Sequence, residues 1–316
     1  MILSAAYCEA PPTRYNVDAF HHPGGDKLNT LSARGGHFLH EDVAAFDAPF
    51  FNITAHEAKA MDPTARMLLE VTYEALENAG LPIESMVGTD TSCYVGCFTR
   101  DYHEMLMRDA ETSPMYAGTG TGFSLLSNRI SWFYDFRGPS MTLDTACSSS
   151  LVGLHLACQG LRAGESKVAV VSGANLILSP DLAMWLSNLH MISKDGLSRS
   201  FAEGASGYGR GEGIATVILK LLPDALRDGD TVRAVIRGTG VNQDGHTTGI
   251  TLPNSDAQAD LIRSTYRSAG LDLSHTPYFE AHVSILLRNI FFQQPLIVIK
   301  GYWHSRWRSV GAWRCC

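Results

Sequence analysis

Apolar residues recur at helical spacing most clearly between positions 63 and 79, where Met67, Leu68, Val71, Ala75 and Leu76 share one face. Such a stripe belongs to a helix that buries one side. Asp62 can cap its first turn, Pro63 suits the first helical position and Gly80 follows its end, so the pattern predicts a helix over 63–79. Short β-rich runs read as strands at 92–98, 139–145, 167–175, 214–222 and 231–240. Several are apolar at successive positions, which places helices on both of their faces. Further helices are expected over 148–163 and 255–269, the second capped by Ser255 or Asn254. Strand and helix alternate, so the fold class is α/β with a central sheet covered on both sides. The hydrophilic stretch DALRDGDT (224–231) reads as a turn and as the internal boundary, dividing the body into 1–222 and 223–282.

The last 34 residues break the pattern. From Val283 to Cys316 there are five basic residues and no acidic one, and three of the five tryptophans, Trp303, Trp307 and Trp313. Neither a period of 2 nor one of 3.6 runs through this segment, and it has no capping logic. It is expected to lie outside the evolved body of the protein.

Composition narrows the class. Of 316 residues, 45% are hydrophobic and 18% charged, with a net charge of -7. Those values fit a soluble globular protein and exclude disordered, collagen-like and coiled-coil chains. The acidic balance argues against nucleic acid as the main partner. No apolar run reaches the roughly 18 residues of a spanning helix, and MILSAAYCEAPP has no basic n-region, so neither membrane insertion nor a targeting signal is expected. Seven cysteines form no disulfide framework; the odd count suggests reduced thiols and a cytoplasmic setting.

Candidate chemistry concentrates in DTACSSSLVGLHLACQGL, from Asp144 to Leu161. A β-rich run ends at Thr145 and an amphipathic helix follows, which places Cys147 at the helix start. Unpaired N–H groups and the positive end of the helix dipole favour thiolate there. Ser148, Ser149 and Ser150 are small enough to admit a substrate and can cap the helix N–H groups. The competing reading is an inert cysteine buried at a strand–helix junction. Cys158, mid-helix, fits that inert reading better. Cys93 and Cys97 have CxxxC spacing, but no second pair completes a zinc site. GTGTG (118–122) and GYGRGEG (207–213) match neither GxGxxG nor a P-loop, so close backbone packing is expected of them. Among the histidines, His155 is expected to pack or cap locally, and His282 in YFEAH is the candidate base.

These residues point to a family. DTACSSS resembles the active-site signature of β-ketoacyl synthases, and the chain as a whole resembles the ketosynthase domain of iterative type I polyketide synthases, closest to the fungal highly reducing kind. RGGHFL, AMDPTARMLLEVTYEALENAG, YVGCFTRDY, LSNRISWFYDFRGPSMTLDTACSSSL, GYGRGEG and RAVIRGTGVNQDG follow one another in the family's order across about 14–282.

The resemblance implies a thiolase-like αβαβα sandwich of two related halves, the second incomplete here, and a homodimer. It implies that Cys147 takes an acyl chain from a carrier-protein thioester and that His282 is the first of two histidines assisting malonyl decarboxylation. The substrates ride on the phosphopantetheine of an acyl or malonyl carrier protein; no cofactor is bound directly, and no metal. Arg210, Glu212 and Asn242 sit in family-like motifs and are expected to shape the site. Three departures stand out: no glycine-containing first strand precedes Arg14, Val283 replaces the family's GTGT after His282, and the second histidine has no counterpart. A fragment of a polyketide ketosynthase, its first strand missing and 283–316 translated from an intron, accounts for all three; the intact parent would catalyse the condensation, and the truncated chain is itself expected to be inactive. The alternative is an inactive truncated paralogue that binds carrier protein or a full-length ketosynthase.

Overall fold

The computed structural model describes residues 5–24, 27–199, 202–249, 252–280, 282 and 296–301. Its strands are β1 (Ala5–Glu9), β2 (Gly35–Leu39), β3 (Thr91–Gly96), β4 (Ser140–Leu143), β5 (Val168–Asn175), β6 (Gly213–Lys220), β7 (Ala234–Gly240) and β8 (Leu296–Gly301). Its α-helices are α1 (Ala55–Ala60), α2 (Pro63–Ala79), α3 (Ile83–Met86), α4 (Asp101–Met107), α5 (Ala117–Thr121), α6 (Leu125–Phe133), α7 (Ser149–Ala163), α8 (Asp181–Asn188), α9 (Leu222–Asp228) and α10 (Ser255–Ala269).

Helix α2 forms as its sequence dictates. Asp62 accepts a hydrogen bond from Thr64 N at 2.8 Å, Pro63 opens the helix and Gly80 closes it at φ 74°. Its stripe is buried from Met67 to Leu76, each large apolar side chain contributing about 1.5–3 kcal/mol. Helix α10 is capped by Asn254 rather than Ser255: Asn254 Oδ1 accepts from Asp256 N and Ala257 N.

The main sheet runs β4-β3-β5-β6, with β3 parallel to β4 and β5, and β6 antiparallel to β5. Side chains alternate across it with the period of a strand. Cys93, Val95 and Val170 face one core with residues of α2 and α6. Tyr94, Ala169 and Val171 face the other with Leu154, Ala157, Cys158 and Leu161 of α7. Beyond α7 lies β7, whose Ile236 packs against the same cluster, and α10 covers β7 in turn. The layers therefore read α2/α6, main sheet, α7, β7 with β8, and α10, an αβαβα order. β1 and β2 form a separate antiparallel pair.

One expectation changes. The hydrophilic stretch 224–231 is not a turn: most of it is helix α9, closed by Gly229 at φ 75°. Arg227 pairs with Asp224 at 2.5 Å, and Lys220 at the end of β6 with Asp228 and Asp230 at 2.6 and 2.7 Å, so the charges of the stretch are satisfied by near neighbours in sequence. In the basic, aromatic segment, residues 296–301 form β8, antiparallel to β7; the rest of 283–316 lies outside the described residues. Among the described residues no helix is long and apolar enough to cross a membrane.

Candidate active site

Strand β4 ends at Leu143 and α7 begins at Ser149. The five residues between them turn the chain sharply. Asp144 Oδ1 accepts from Ala146 N at 3.0 Å, and Ala146 takes a left-handed conformation at φ 56°. A side chain in that region costs about 1–2 kcal/mol, so the turn holds strain at the residue before Cys147. Ser148 Oγ donates to Thr145 O at 2.7 Å, Ser149 Oγ to Ala146 O at 2.5 Å, and Thr145 N donates to Ser149 Oγ at 2.8 Å. These hydroxyls brace the turn instead of capping α7, contrary to the sequence reading; Ser148, at the cap position, makes no side-chain cap hydrogen bond. Ser149 N itself donates to Ala146 O at 3.1 Å, so what the helix start offers a negative charge beside Cys147 is the positive end of its dipole. Cys147 is half-buried.

Two glycines let the helix start sit this low on the sheet. A Cβ on Gly96 would lie 2.2 Å from Ser150 N, and one on Gly173 would lie 2.8 Å from Ser150 Cβ. Neither residue stood out in the sequence; a glycine within a β-rich run was the available signal.

The other described thiols near the sheet are inert. Burial pushes Cys93 up to about 12 and Cys97 up to about 11, and raises Cys158. His282 follows α10 and the segment 276–280, and is half-buried. Burial lowers its pKa, which keeps the ring neutral near neutral pH. His155, on α7, reaches out of its helix: its Nδ1 lies 2.8 Å from Thr239 Oγ1 of β7.

The glycine-rich stretches pack backbone against backbone. Gly120 lies in α5, where a Cβ would be 2.2 Å from Ala60 O, and one on Gly209 would be 2.0 Å from Gly196 O. Between β5, β6 and the N-terminal pair stands Glu212, with a wholly buried side chain. It accepts from Arg14 Nε at 2.7 Å, Arg14 Nη2 at 2.9 Å, Leu39 N at 3.0 Å and Ile177 N at 3.1 Å. Arg210 is buried with its guanidinium 5.7 Å from the Phe98 ring centre. Asn242 Nδ2 donates to Ala257 O at 2.7 Å, tying the segment after β7 to α10.

Residues 4–225 match the family model of the β-ketoacyl synthase N-terminal domain, and residues 233–284 that of its C-terminal domain. The chain belongs to the β-ketoacyl synthase family. It is 76% identical over 278 residues to the highly reducing polyketide synthase Preu1 of Preussia isomera, covering 88% of this chain and 12% of that one. A highly reducing polyketide synthase of Didymella fabae is 56% identical over 278 residues, covering 88% and 15%. The ketosynthase chain thus spans a small part of these relatives. Among solved structures it resembles the oxazolomycin ketosynthase domain of Streptomyces albus, with a TM-score of 0.82 at 36% identity, covering 88% of this chain and 49% of that one. It also resembles the ketosynthase of module 6 of the bacillaene synthase from Bacillus subtilis, with a TM-score of 0.76 at 36% identity, covering 85% and 44%. The layered order of the ketosynthase is that of the thiolase-like fold.

Proposed function

We propose that the intact ketosynthase this chain represents carries out decarboxylative condensation of thioesters, with Cys147 as nucleophile. The observation that carries the proposal is the strained turn at Ala146, which holds Cys147 at the positive end of the α7 dipole. The Cys147 thiolate attacks the acyl thioester carbonyl; a carbon–sulfur bond forms, and the carrier thiol leaves and takes a proton. A malonyl thioester then loses carbon dioxide. The carbanion attacks the acyl-cysteine carbonyl, forming the carbon–carbon bond and releasing Cys147 as thiolate. Neutral His282 donates a hydrogen bond to the enolate oxygen as charge develops.

The substrates are thioesters on the phosphopantetheine of an acyl or malonyl carrier protein, and the chain itself binds no cofactor. The working assembly is a homodimer in the cytoplasm, where Cys147 stays reduced. The outer edge of β4 supports the dimer. Met141 on β4 and Trp132 on α6 are exposed beside it, 38% and 70% respectively, and an edge strand with exposed apolar neighbours invites pairing. Residues 1–222 and 223–282 serve as the two functional halves, with 283–316 outside them.

Intact-mass measurement after incubation with an acyl N-acetylcysteamine thioester tests the nucleophile. One acyl adduct on the wild-type chain and none on Cys147→Ala is expected. Equal adducts on both, or none on either, reject the assignment.

A further inference from the structure

Helix α7 lies between two sheets, and its contacts with them differ in kind. Toward the main sheet it presents Leu154, Ala157, Cys158 and Leu161 against Tyr94, Ala169 and Val171. Apolar packing of that sort fixes distance well and axial position less well, because dispersion contacts are not directional. Toward β7 it adds a directional contact, His155 Nδ1 to Thr239 Oγ1 at 2.8 Å. This bond joins the segment that matches the N-terminal domain to the one that matches the C-terminal domain. A second, Arg233 Nη2 to Asn78 Oδ1, is exposed and longer at 3.4 Å.

The Thr239 end of the His155–Thr239 bond is braced. Thr239 stands between Gly238 and Gly240, and α10 presses on the strand at both. A Cβ on Gly238 would lie 3.1 Å from Ala269 Cβ, and one on Gly240 would lie 2.2 Å from Thr265 Oγ1. A register shift between Ile236 and Gly238 brings both Ile236 and Thr239 to the α7 side. His155 is six residues into α7 from Ser149, about 9 Å along the axis at 1.5 Å per residue, and Cys147 stands two residues before that start. A helix is stiff over that length, so a rotation or slide at His155 is carried to its start. From Thr239 the chain runs through β7 and α10 to His282.

We infer that His155 is a positioning residue for condensation: its bond to Thr239 sets where the Cys147 end of α7 stands relative to the half of the molecule that carries His282. The inference rests on the proposed function. It separates the two chemical steps. Acylation requires Cys147 and its own turn, all within the first half. Condensation requires the two halves to be in register, and a misplacement of about 1 Å costs as much as 100-fold in rate.

The test uses the full chain. Acylation of Cys147 by an acyl N-acetylcysteamine thioester is timed by intact mass, and carbon dioxide release from malonyl N-acetylcysteamine is timed on the acylated protein. His155→Leu and Thr239→Val are expected to keep acylation within about two-fold and to lower carbon dioxide release by about ten-fold or more. His155→Asn, which can place a polar atom near the ring Nδ1 position, and Thr239→Ser are expected to restore release. The double variant His155→Leu with Thr239→Val is expected to be no worse than either single change. Equal loss in both steps assigns His155 a merely structural role and overturns the inference, as does unchanged release or additive losses in the double variant. A wild-type chain that acylates but releases no carbon dioxide rejects the condensing function, and the inference falls with it. A wild-type chain that does not acylate rejects the nucleophile as well.

Discussion

Gly96 of β3 and Gly173 of β5 are register partners, and both abut Ser150 in the first turn of α7. The pair forms a seat for the helix start that a single added carbon would fill. Gly96 is the tighter half, because a Cβ there meets backbone, whereas one on Gly173 meets a side chain. Gly96→Ala is therefore expected to destabilise the protein by about 1–3 kcal/mol and to slow acylation of Cys147, with Gly173→Ala milder on both counts. Thermal melts with timed acylation check the order; a harmless Gly96→Ala contradicts it.

The left-handed Ala146 gives a second prediction. Glycine takes φ 56° without strain, relieving about 1–2 kcal/mol in the folded state, while its freer unfolded chain takes back about 0.5–1. Ala146→Gly is expected to be neutral to slightly stabilising. Ala146→Val, branched at Cβ, is expected to cost about 1–3 kcal/mol. Urea unfolding of the two variants decides; a stable valine variant argues against the strained turn.

The buried pair Arg14–Glu212 gives a third. Glu212→Gln removes the charge opposite Arg14 and sets an N–H₂ group among N–H donors. Breaking a buried pair on one side costs about 3–5 kcal/mol, and a shift of that size in urea unfolding is expected. A loss under about 1 kcal/mol would show that water replaces the lost partner.

Thiol labelling gives a fourth. Burial raises the pKa of Cys93 to about 12, so at pH 8 its thiolate is about one part in ten thousand. Cys97, at about 11, is about one part in a thousand. Iodoacetamide at pH 8 is expected to modify the peptide carrying Cys147 and to leave those carrying Cys93, Cys97 and Cys158 untouched. Peptide mass mapping reads this directly, and early labelling of Cys97 would contradict its burial.

What the sequence shows depends on how local the cause is. Asp62, Pro63 and Gly80 mark α2 because capping acts within one turn, and the start of α7 behind Cys147 is legible from the change from a β-rich run to helical spacing. Elements held from afar are not. Helix α4 and the segment before α8 depend on the Asp101 carboxylate, which accepts from Leu178 N at 2.9 Å and Ser179 N at 3.1 Å, a contact no window of adjacent residues contains. The GTGTG stretch has poor helix propensity and is helical through its packing on Ala60. At the site, Cys147 is visible by residue type and setting, while the conformation of Ala146 is hidden because alanine carries no signal for positive φ. A glycine or asparagine there would have signalled it.

The ion pair that fastens the N-terminal segment has a consequence for synthesis. Arg14 and Glu212 are 198 residues apart. At a translation rate of about 5–20 residues per second, Arg14 leaves the ribosome roughly 10–40 s before its partner is made. For that interval an arginine destined for the interior must stay hydrated, and the β1–β2 region must wait unsealed. The last turn of the lock is thus set by the order of translation, and codons that slow the ribosome before Glu212 would lengthen the nascent chain's exposure.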